Sequence, residues 1–386
     1  MRELFTILSY IVLLLSRSVC AQSLVYIGSG AVGQGSGIYV ATLDDVSGTL
    51  SQPKLAAAID NPSFLALHPS GRWLYSVTST VSTDGNSLDE VVAFVVLPDG
   101  GLRLLNRQLA GGASPCHLSV DASGHVLFLA NYRGANVATF TIRADGTLSP
   151  ATSTVQHYGA SRVDVRRQSQ PHPHGIYPSP AGNYVYVPDL GLDKIVIYHR
   201  NTASGALTPN DPPQTLAELG GGPRHLVFHP NGNFAYVNLE LSSRILAYRV
   251  DRISGALLPI QGISSLPPDS PAKGNSAAEI LFHPGGKFLY VSNRGHDSVS
   301  VFAVDSDGGS MRFIAATSTG GRTPRSVGIT RDGRFMLAAN QDSETVAVFR
   351  VDSLHGTLSP VAAPVLIDRP LFVMAVTRNN VLTTNN

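Results

Sequence analysis

Apolar and polar residues alternate with a period of two along most of the chain, in short runs that end at glycine, proline, aspartate or serine. The runs NVATFTI at 136–142 and RILAYRV at 244–250 show this alternation. A period of two places successive side chains on opposite faces of the backbone, which is typical of strands and not of helices. The sequence therefore predicts an all-β protein of short strands joined by tight turns.

These runs recur as a repeat that is marked by one glycine in each copy. The glycines lie 47 to 58 residues apart in HPSGRWLY, DASGHVLF, SPAGNYVY, HPNGNFAY, HPGGKFLY and TRDGRFML, at Gly71, Gly124, Gly182, Gly232, Gly286 and Gly333. One apolar run precedes each glycine turn, an aromatic-rich run follows it, and two further runs complete the copy. Four antiparallel strands per repeat describe the blade of a β-propeller.

The two ends of the repeat region complete a seventh copy. LVYIGS at 24–29 is similar to a second strand that lacks a first strand before it, and RPLFVMAV at 369–376 is similar to a first strand that lacks a second strand after it. We expect both termini to share the last blade, because this pairing removes an exposed sheet edge. The prediction is a single seven-bladed β-propeller of four-stranded antiparallel blades, over residues 22–386.

Residues 1–21 have the pattern of a secretory signal peptide. Arg2 precedes an apolar run between residues 4 and 15, and small residues at 19–21 fit a cleavage site before Gln22. A retained anchor is the alternative, but the run is shorter than the roughly 20 apolar residues that span a bilayer. We expect a secreted, extracellular protein without membrane attachment after cleavage. Cys116 would then be the only cysteine, so no intramolecular disulfide is expected.

The charge balance argues against two classes of partner. The chain has 28 Lys and Arg and 27 Asp and Glu, for a net charge of +1. Such a balance provides no electrostatic basis for binding nucleic acid or an anionic membrane surface. A small molecule bound by a few local charges is the remaining expectation.

The repeat itself indicates where such charges meet. Positions equally far from a hairpin turn lie at the same end of the hairpin, so residues eight before and eight after each glycine share one rim. Inner strands converge on the central channel, and these positions are therefore predicted to line its mouth. They are Ser63, Cys116, His174, Arg224, Ala278 and Arg325 before the glycines, and Ser79, Tyr132, Leu190, Glu240, Arg294 and Gln341 after them.

Four of these rim residues form a candidate catalytic set, namely His174, Glu240, Arg224 and Arg294. Arginine can hold a carboxylate and stabilise an oxyanion, while histidine and glutamate can exchange protons with a substrate. The alternative is an ion-pair network that only plugs the channel. Candidates for substrate binding are His172, Arg325 and Arg133. Neither a cofactor nor a metal is predicted, because arginines on the rim would repel a cation such as calcium.

Residues outside the candidate set have simpler expected roles. His68, His229 and His283 lie in HPxG turns and are expected to stabilise those turns. Glu279 is expected either to touch the pocket or to brace Arg294. The arginine-rich insertion at 156–170 could lie over one face of the propeller.

Several motifs resemble the seven-bladed propeller lactonase family. They are PHPHG, YVPDLGLDK, GPRHLVFHPNGNFAYV, ELSS, YVSNRGHDS and ANQDS. This family includes bacterial 6-phosphogluconolactonases and the fungal carboxy-cis,cis-muconate lactonizing enzyme, and the resemblance covers nearly the whole mature chain. It implies that His174, Arg224, Glu240 and Arg294 match the proposed site of the lactonizing enzyme. The chain departs from the common NELSS motif, because NLELSS moves Asn238 away from the glutamate.

The resemblance and the rim residues together predict an enzyme of the lactonase or lactonizing type. It would open or form the lactone ring of a small carboxylated or sugar-derived acid, without a metal. One alternative is a 6-phosphogluconolactonase, which would need cations such as Arg133 or Arg325 for the phosphate and an intracellular location. The other alternative is a non-catalytic extracellular propeller that binds a glycan or a protein.

Overall fold

The computed structural model describes residues 22–30, 35–81, 87–202 and 204–377. The predicted signal peptide at 1–21 lies outside these ranges, so its existence stays a prediction. Within the described residues, no helix is long and apolar enough to cross a membrane.

The strands follow one another in chain order and have these bounds. The first eleven are β1 Gln22–Ser29, β2 Gly37–Asp44, β3 Lys54–Ala58, β4 Leu65–Leu67, β5 Trp73–Val81, β6 Ser87–Val96, β7 Leu102–Leu109, β8 Pro115–Val120, β9 Val126–Asn131, β10 Asn136–Ile142 and β11 Leu148–Gln156. The next eight are β12 Tyr177–Pro178, β13 Tyr184–Asp189, β14 Lys194–Arg200, β15 Leu207–Leu216, β16 Pro223–Phe228, β17 Phe234–Leu239, β18 Arg244–Val250 and β19 Leu257–Ser264. The last ten are β20 Ser276–Phe282, β21 Phe288–Arg294, β22 Ser298–Val304, β23 Met311–Ser318, β24 Pro324–Ile329, β25 Phe335–Asn340, β26 Thr345–Val351, β27 Leu358–Pro360, β28 Val365–Leu366 and β29 Pro370–Thr377. A short 3-10 helix at Gln341–Ser343 separates β25 from β26.

The strands form seven antiparallel sheets, which are the blades of a propeller. Six blades use consecutive strands, from β4-β5-β6-β7 to β24-β25-β26-β27, and β28 adds to β26 in the last of these. The seventh has the order β29-β1-β2-β3, with Tyr26 of β1 paired to Met374 of β29. Both termini therefore build one blade, which confirms the predicted fold and the predicted closure.

The hydrophobic core lies between neighbouring blades, where the apolar faces of two sheets meet. Five buried tyrosines connect neighbouring blades. Each donates a hydrogen bond from its hydroxyl to a glycine carbonyl of the next blade, at 2.8 to 3.1 Å. The tyrosines are Tyr26, Tyr75, Tyr186, Tyr236 and Tyr290. A buried hydroxyl needs such a partner, so each bond satisfies the tyrosine and fixes the distance between blades.

The glycine turns lie at the opposite end of the channel from the candidate site. Gly71 and Gly232 have φ values of 73° and 70°, which non-glycine residues rarely adopt. The HPxG histidines link these turns from blade to blade. His68 Nε2 lies 3.0 Å from the carbonyl of Gly124, and His229 Nε2 lies 3.0 Å from that of Gly286. Their predicted role in the turns agrees with these contacts.

Candidate active site

A cavity of about 500 Å³ opens on the rim that lies away from the glycine turns. We call it the axial cavity. Nine of the twelve predicted rim positions line it, and the exceptions are Leu190, Arg224 and Ala278. Equal distance from the hairpin turn therefore predicts most of the lining, as expected for antiparallel strands around one axis.

A bulge in the inner strands explains how the rim side chains reach the channel. Pairing shifts register between Pro115 and His117, between Pro223 and Leu226, and between Pro324 and Ser326. A bulge leaves a residue without a ladder partner and re-aims its side chain. The residues left out include Cys116, Arg224 and Arg325, all of them rim positions.

Glu240 follows β17 and lies at the centre of the charged groups. Its Oε1 accepts a hydrogen bond from Arg167 Nη2 at 2.7 Å. Its Oε2 lies 3.1 Å from Arg224 Nε, 3.2 Å from Arg294 Nη2 and 3.6 Å from His174 Nε2. The side chain is only 5 % exposed. One buried carboxylate thus balances arginines from two blades and an insertion, beside the imidazole of a third blade.

The surrounding charges decide the protonation of Glu240. Burial alone would raise the pKa of this carboxyl, but the positive charge of Arg294, with further contributions from His174, Arg224 and Arg167, holds it well below its usual range. Carboxylates beside guanidinium groups behave in this way. Glu240 is therefore ionised at neutral pH.

His174 lines the same cavity in its neutral form. Burial, and then the positive charge of Arg224, lower the pKa of His174 well below its usual value. Its Nδ1 lies 4.0 Å from the sulfur of Cys116. Burial raises the pKa of that thiol to about 12, so Cys116 stays protonated. The imidazole is thus the group in the cavity that is free to accept a proton at neutral pH.

The two arginines predicted as catalytic occupy different positions. Arg294 lines the cavity and donates from Nη2 to the carbonyl of Ala277 at 3.2 Å. Arg224 does not line the cavity, is 3 % exposed at its side chain, and donates to the carbonyl of Ala278. Its guanidinium is 3.1 Å from Glu240, so its direct contact with a substrate stays a prediction.

Two of the three predicted substrate-binding residues lie outside the cavity. His172 stacks on Tyr132 with ring centroids 4.2 Å apart and donates from Nδ1 to the Tyr132 carbonyl at 2.9 Å. Arg133 is exposed and does not line the cavity. Arg325, the third candidate, does line the cavity.

Arg325 brings a positive charge to the cavity that no partner among the described residues balances. No hydrogen bond or ion pair joins its guanidinium to any residue of the described ranges. Burial, followed by the charges of Arg224 and Arg294, lowers its pKa to about 9, so it remains a cation at neutral pH. Arg369 is the fourth arginine of the same lining, with Arg167, Arg294 and Arg325. The axial cavity is therefore strongly cationic and suited to an anion.

Glu279 has neither of its two expected roles. It lies outside the axial cavity, and its Oε1 is 2.8 Å from Nδ1 of His225. Asn238, the residue displaced from the family motif, also has a structural role. Its side chain binds the backbone nitrogen of His225 at 2.9 Å and the carbonyl of Ala278 at 2.8 Å. It thereby stabilises the bulge and joins two blades.

Sequence reasoning missed Arg167, which comes from the insertion between β11 and β12. Arg167 Nη2 lies 3.1 Å from the Tyr132 hydroxyl in addition to its bond with Glu240. The loop is held to the blade by Gln168, whose Nε2 donates to Asp193 at 2.7 Å. The predicted covering of one face by this insertion is observed. The arginine content of the insertion indicated that it could contribute a cation to the site. The insertion lies outside the repeat, so the repeat did not indicate which arginine enters the axial cavity.

The described side chains of the axial cavity do not resemble the ligands of a metal site. Within the described ranges, no group of three or more His, Cys, Asp or Glu side chains is arranged to hold a metal ion. The only carboxylate on the axial-cavity lining, among the residues that the structure describes, is Glu240, and arginines already balance it.

The fold and this cavity define a seven-bladed propeller with an enzyme-type site on its axis. A family model described as "Lactonase, 7-bladed beta-propeller" matches residues 24–375. The chain belongs to the seven-bladed β-propeller lactonase family, which confirms the resemblance seen in its motifs.

Named relatives span most of the chain. The 6-phosphogluconolactonase of Bacillus subtilis (strain 168) is 37 % identical over 301 residues, which are 78 % of this chain and 83 % of the relative. A 6-phosphogluconolactonase of Formosa agariphila is 32 % identical over 76 % of this chain and 82 % of its own length. The structure of a periplasmic gluconolactonase of Pseudomonas aeruginosa superposes with a TM-score of 0.86 at 31 % identity, over 92 % of this chain and 99 % of that one.

Proposed function

We propose that this chain is a lactonase that opens, or in the reverse direction forms, the lactone ring of a small carboxylated or sugar-derived acid in the axial cavity. One observation carries the proposal: an ionised carboxylate, a neutral imidazole and several guanidinium groups face one cavity of about 500 Å³. Membership of the lactonase family supports the same reaction class.

His174 is the general base of the proposed hydrolysis. Its neutral imidazole accepts a proton from the water that attacks the ring carbonyl. The resulting imidazolium is stabilised by the Glu240 carboxylate, whose Oε2 lies 3.6 Å from Nε2. The same imidazolium then protonates the ring oxygen as the carbon–oxygen bond breaks, which restores the neutral base. Ring closure uses these transfers in reverse.

Arginine stabilises the negative charge that develops on the carbonyl oxygen. Arg294 lines the cavity, and Arg167 enters from the insertion that covers it. Guanidinium groups that are already oriented by Glu240 need little reorganisation when this charge appears, and preorganised donors of this kind provide much of the rate enhancement in acyl transfer. Glu240 and Arg224 act through the other groups, by fixing their positions and charges.

A lactone panel with purified variants tests the assignment. The wild type is expected to hydrolyse at least one carboxylated or sugar-derived lactone, measured by acid release in a pH-stat. Glu240→Gln and His174→Gln are expected to lower kcat/KM by about 10²- to 10⁴-fold. Glu218→Gln is a matched control, because this glutamate pairs with Arg244 on the surface. Full activity of Glu240→Gln would contradict the assignment.

A phosphorylated sugar lactone is the second candidate substrate. The guanidinium of Arg325 lacks a partner among the described residues, and Arg369 lies in the same lining, so both are available to a phosphate. Two relatives are named 6-phosphogluconolactonases. Arg325→Gln is expected to raise KM for 6-phosphogluconolactone more than for gluconolactone. Equal effects on both lactones would argue against a phosphate at Arg325.

The proposal includes secretion and independence from metals. The signal-peptide pattern of residues 1–21 supports export, and a structural relative is described as periplasmic. The arginines around Glu240 disfavour a bound cation. A mature N-terminus at Gln22 and full activity after EDTA treatment are expected. An inactive protein that binds a cell-wall extract saturably would instead favour the non-catalytic propeller.

A further inference from the structure

The central channel contains a second cavity, of about 420 Å³, on the side of the glycine turns. We call it the turn-side cavity. Residues in or beside the innermost strand of all seven blades line it, including Leu226 of β16, Ile280 of β20 and Val327 of β24. These positions lie between the rim residues and the glycine turns. The reaction proposed above uses none of them.

The walls of the turn-side cavity are apolar and rich in aromatic rings. Phe64 lies 4.4 Å from Phe372 and 4.3 Å from His117, measured between ring centroids, and His117 lies 4.5 Å from Tyr177. Phe228 also lines the cavity. Aromatic rings in the lining of a cavity can attract organic cations through their electron-rich faces.

Glu279 is the acidic residue among the described side chains of this lining. Its side chain is only 12 % exposed, and its Oε1 is engaged by His225 at 2.8 Å and by the backbone nitrogen of Ile280 at 3.2 Å. Its Oε2 makes no hydrogen bond to any described residue. One oxygen of this nearly buried carboxyl is therefore paired, while the other, Oε2, has no hydrogen-bond partner among the described residues and remains available to a ligand.

We propose that the turn-side cavity binds a small organic ammonium compound with an apolar substituent. The ammonium group pairs with Oε2 of Glu279 and contacts the ring faces, while the substituent fills the apolar wall. Binding sites for organic cations combine a carboxylate with aromatic rings. Both groups attract positive charge, and the apolar walls accommodate the rest of the ligand. This inference is independent of the proposed lactonase activity.

The charges around Glu279 are compatible with a cationic ligand. Burial raises the pKa of Glu279 to about 7, so the carboxyl is mostly ionised at pH 8. Burial also keeps the nearby imidazoles neutral, because the pKa values of His117 and His225 are well below the usual value. Arg224 is balanced by Glu240 at 3.1 Å, and Arg325 faces the axial cavity. The titratable and charged groups that face Glu279 are His117, Tyr177, Arg224, His225 and Arg325.

Calorimetric titration of the purified protein with benzyltrimethylammonium tests the proposal. This probe carries a permanent charge, so any pH effect arises from the protein. Saturable binding of one probe per chain is expected at pH 8. The affinity is expected to fall about tenfold between pH 8 and pH 6, because a carboxyl with a pKa near 7 goes from about 90 % to about 10 % ionised.

Variants locate the bound probe. Glu279→Gln is expected to weaken binding at least tenfold and to remove the pH dependence, with an unchanged Tm as evidence of folding. Ile329→Trp, which places a larger side chain in the lining of the turn-side cavity and keeps the carboxyl, is expected to block binding as well. Glu218→Gln, the same change in a surface glutamate that pairs with Arg244, is expected to leave binding intact. Absence of saturable binding by the wild type, or equal binding by Glu279→Gln, would overturn the proposal.

Discussion

Replacement of Glu240 by glutamine isolates the buried charge at the centre of the axial cavity. The substitution keeps the shape of the side chain and removes its negative charge. Arg167, Arg224 and Arg294 then repel one another without the carboxylate that lies 2.7 to 3.2 Å from each of them.

The expected loss of stability is large for a single substitution. Two unit charges about 4 Å apart interact by about 4 kcal/mol at an effective dielectric constant of about 20. Removal of one partner from a buried ion pair typically costs about 3–5 kcal/mol, because the remaining charge is left uncompensated. We expect Glu240→Gln to lower the free energy of unfolding by about this amount. Glu218→Gln is expected to cost under about 1 kcal/mol, because both members of that surface pair are well exposed.

Equilibrium unfolding in urea at pH 7 measures these differences, and a double-mutant cycle with Arg224→Met tests their origin. Arg224→Met is expected to cost at least about 1.5 kcal/mol less in the Glu240→Gln background than in the wild type, because its charge partner is already absent. Additive effects within about 0.5 kcal/mol would refute the coupling. So would a Glu240→Gln variant as stable as the wild type.

Two further predictions concern histidines. His174 has a pKa well below 6.5 in the folded protein, so its neutral form persists below pH 6.5 and kcat/KM is expected to decline only well below that pH. An acid midpoint of kcat/KM at or above pH 6.5 would contradict the assignment of His174 as the base. The same lowered pKa makes folding less favourable as the pH falls below 6.5, because the histidine of the unfolded chain binds the proton first. His229→Ala removes the link to Gly286 and is expected to cost about 1–3 kcal/mol without changing kcat. The exposed His355→Ala variant is its control, and an unchanged Tm of His229→Ala would argue against the link.

The blades and their closure could be predicted because each rests on a local or repeated signal. Alternation with a period of two specifies strands, and the glycine turn specifies a hairpin. The unmatched runs at 24–29 and 369–376 specified the shared blade, since an unpaired edge would be exposed. The same symmetry placed Glu240, His174 and Arg294 in one cavity.

The failures of prediction come from departures from that symmetry. Equal distance from the turn placed Arg224 on the cavity lining, but its guanidinium pairs with Glu240 and does not line the cavity, whereas Cys116 and Arg325 at equivalent bulges do. Arg167 belongs to an insertion that has no counterpart in the other blades. The pairing of Arg224 with Glu240 and the inward position of Arg167 are each found in one blade, so neither could be inferred from the repeat.

The number of blades, the strand order and the rim on which the charged residues meet follow from the amino-acid sequence alone. Which of those residues face the cavity, and which protonation states they hold, follows only from the folded ring. The reason is that turns and the alternation of apolar and polar residues depend on residues adjacent in the sequence. The protonation states of His174 and Glu240 depend on burial and on charges from several blades, which come together only when the ring is closed.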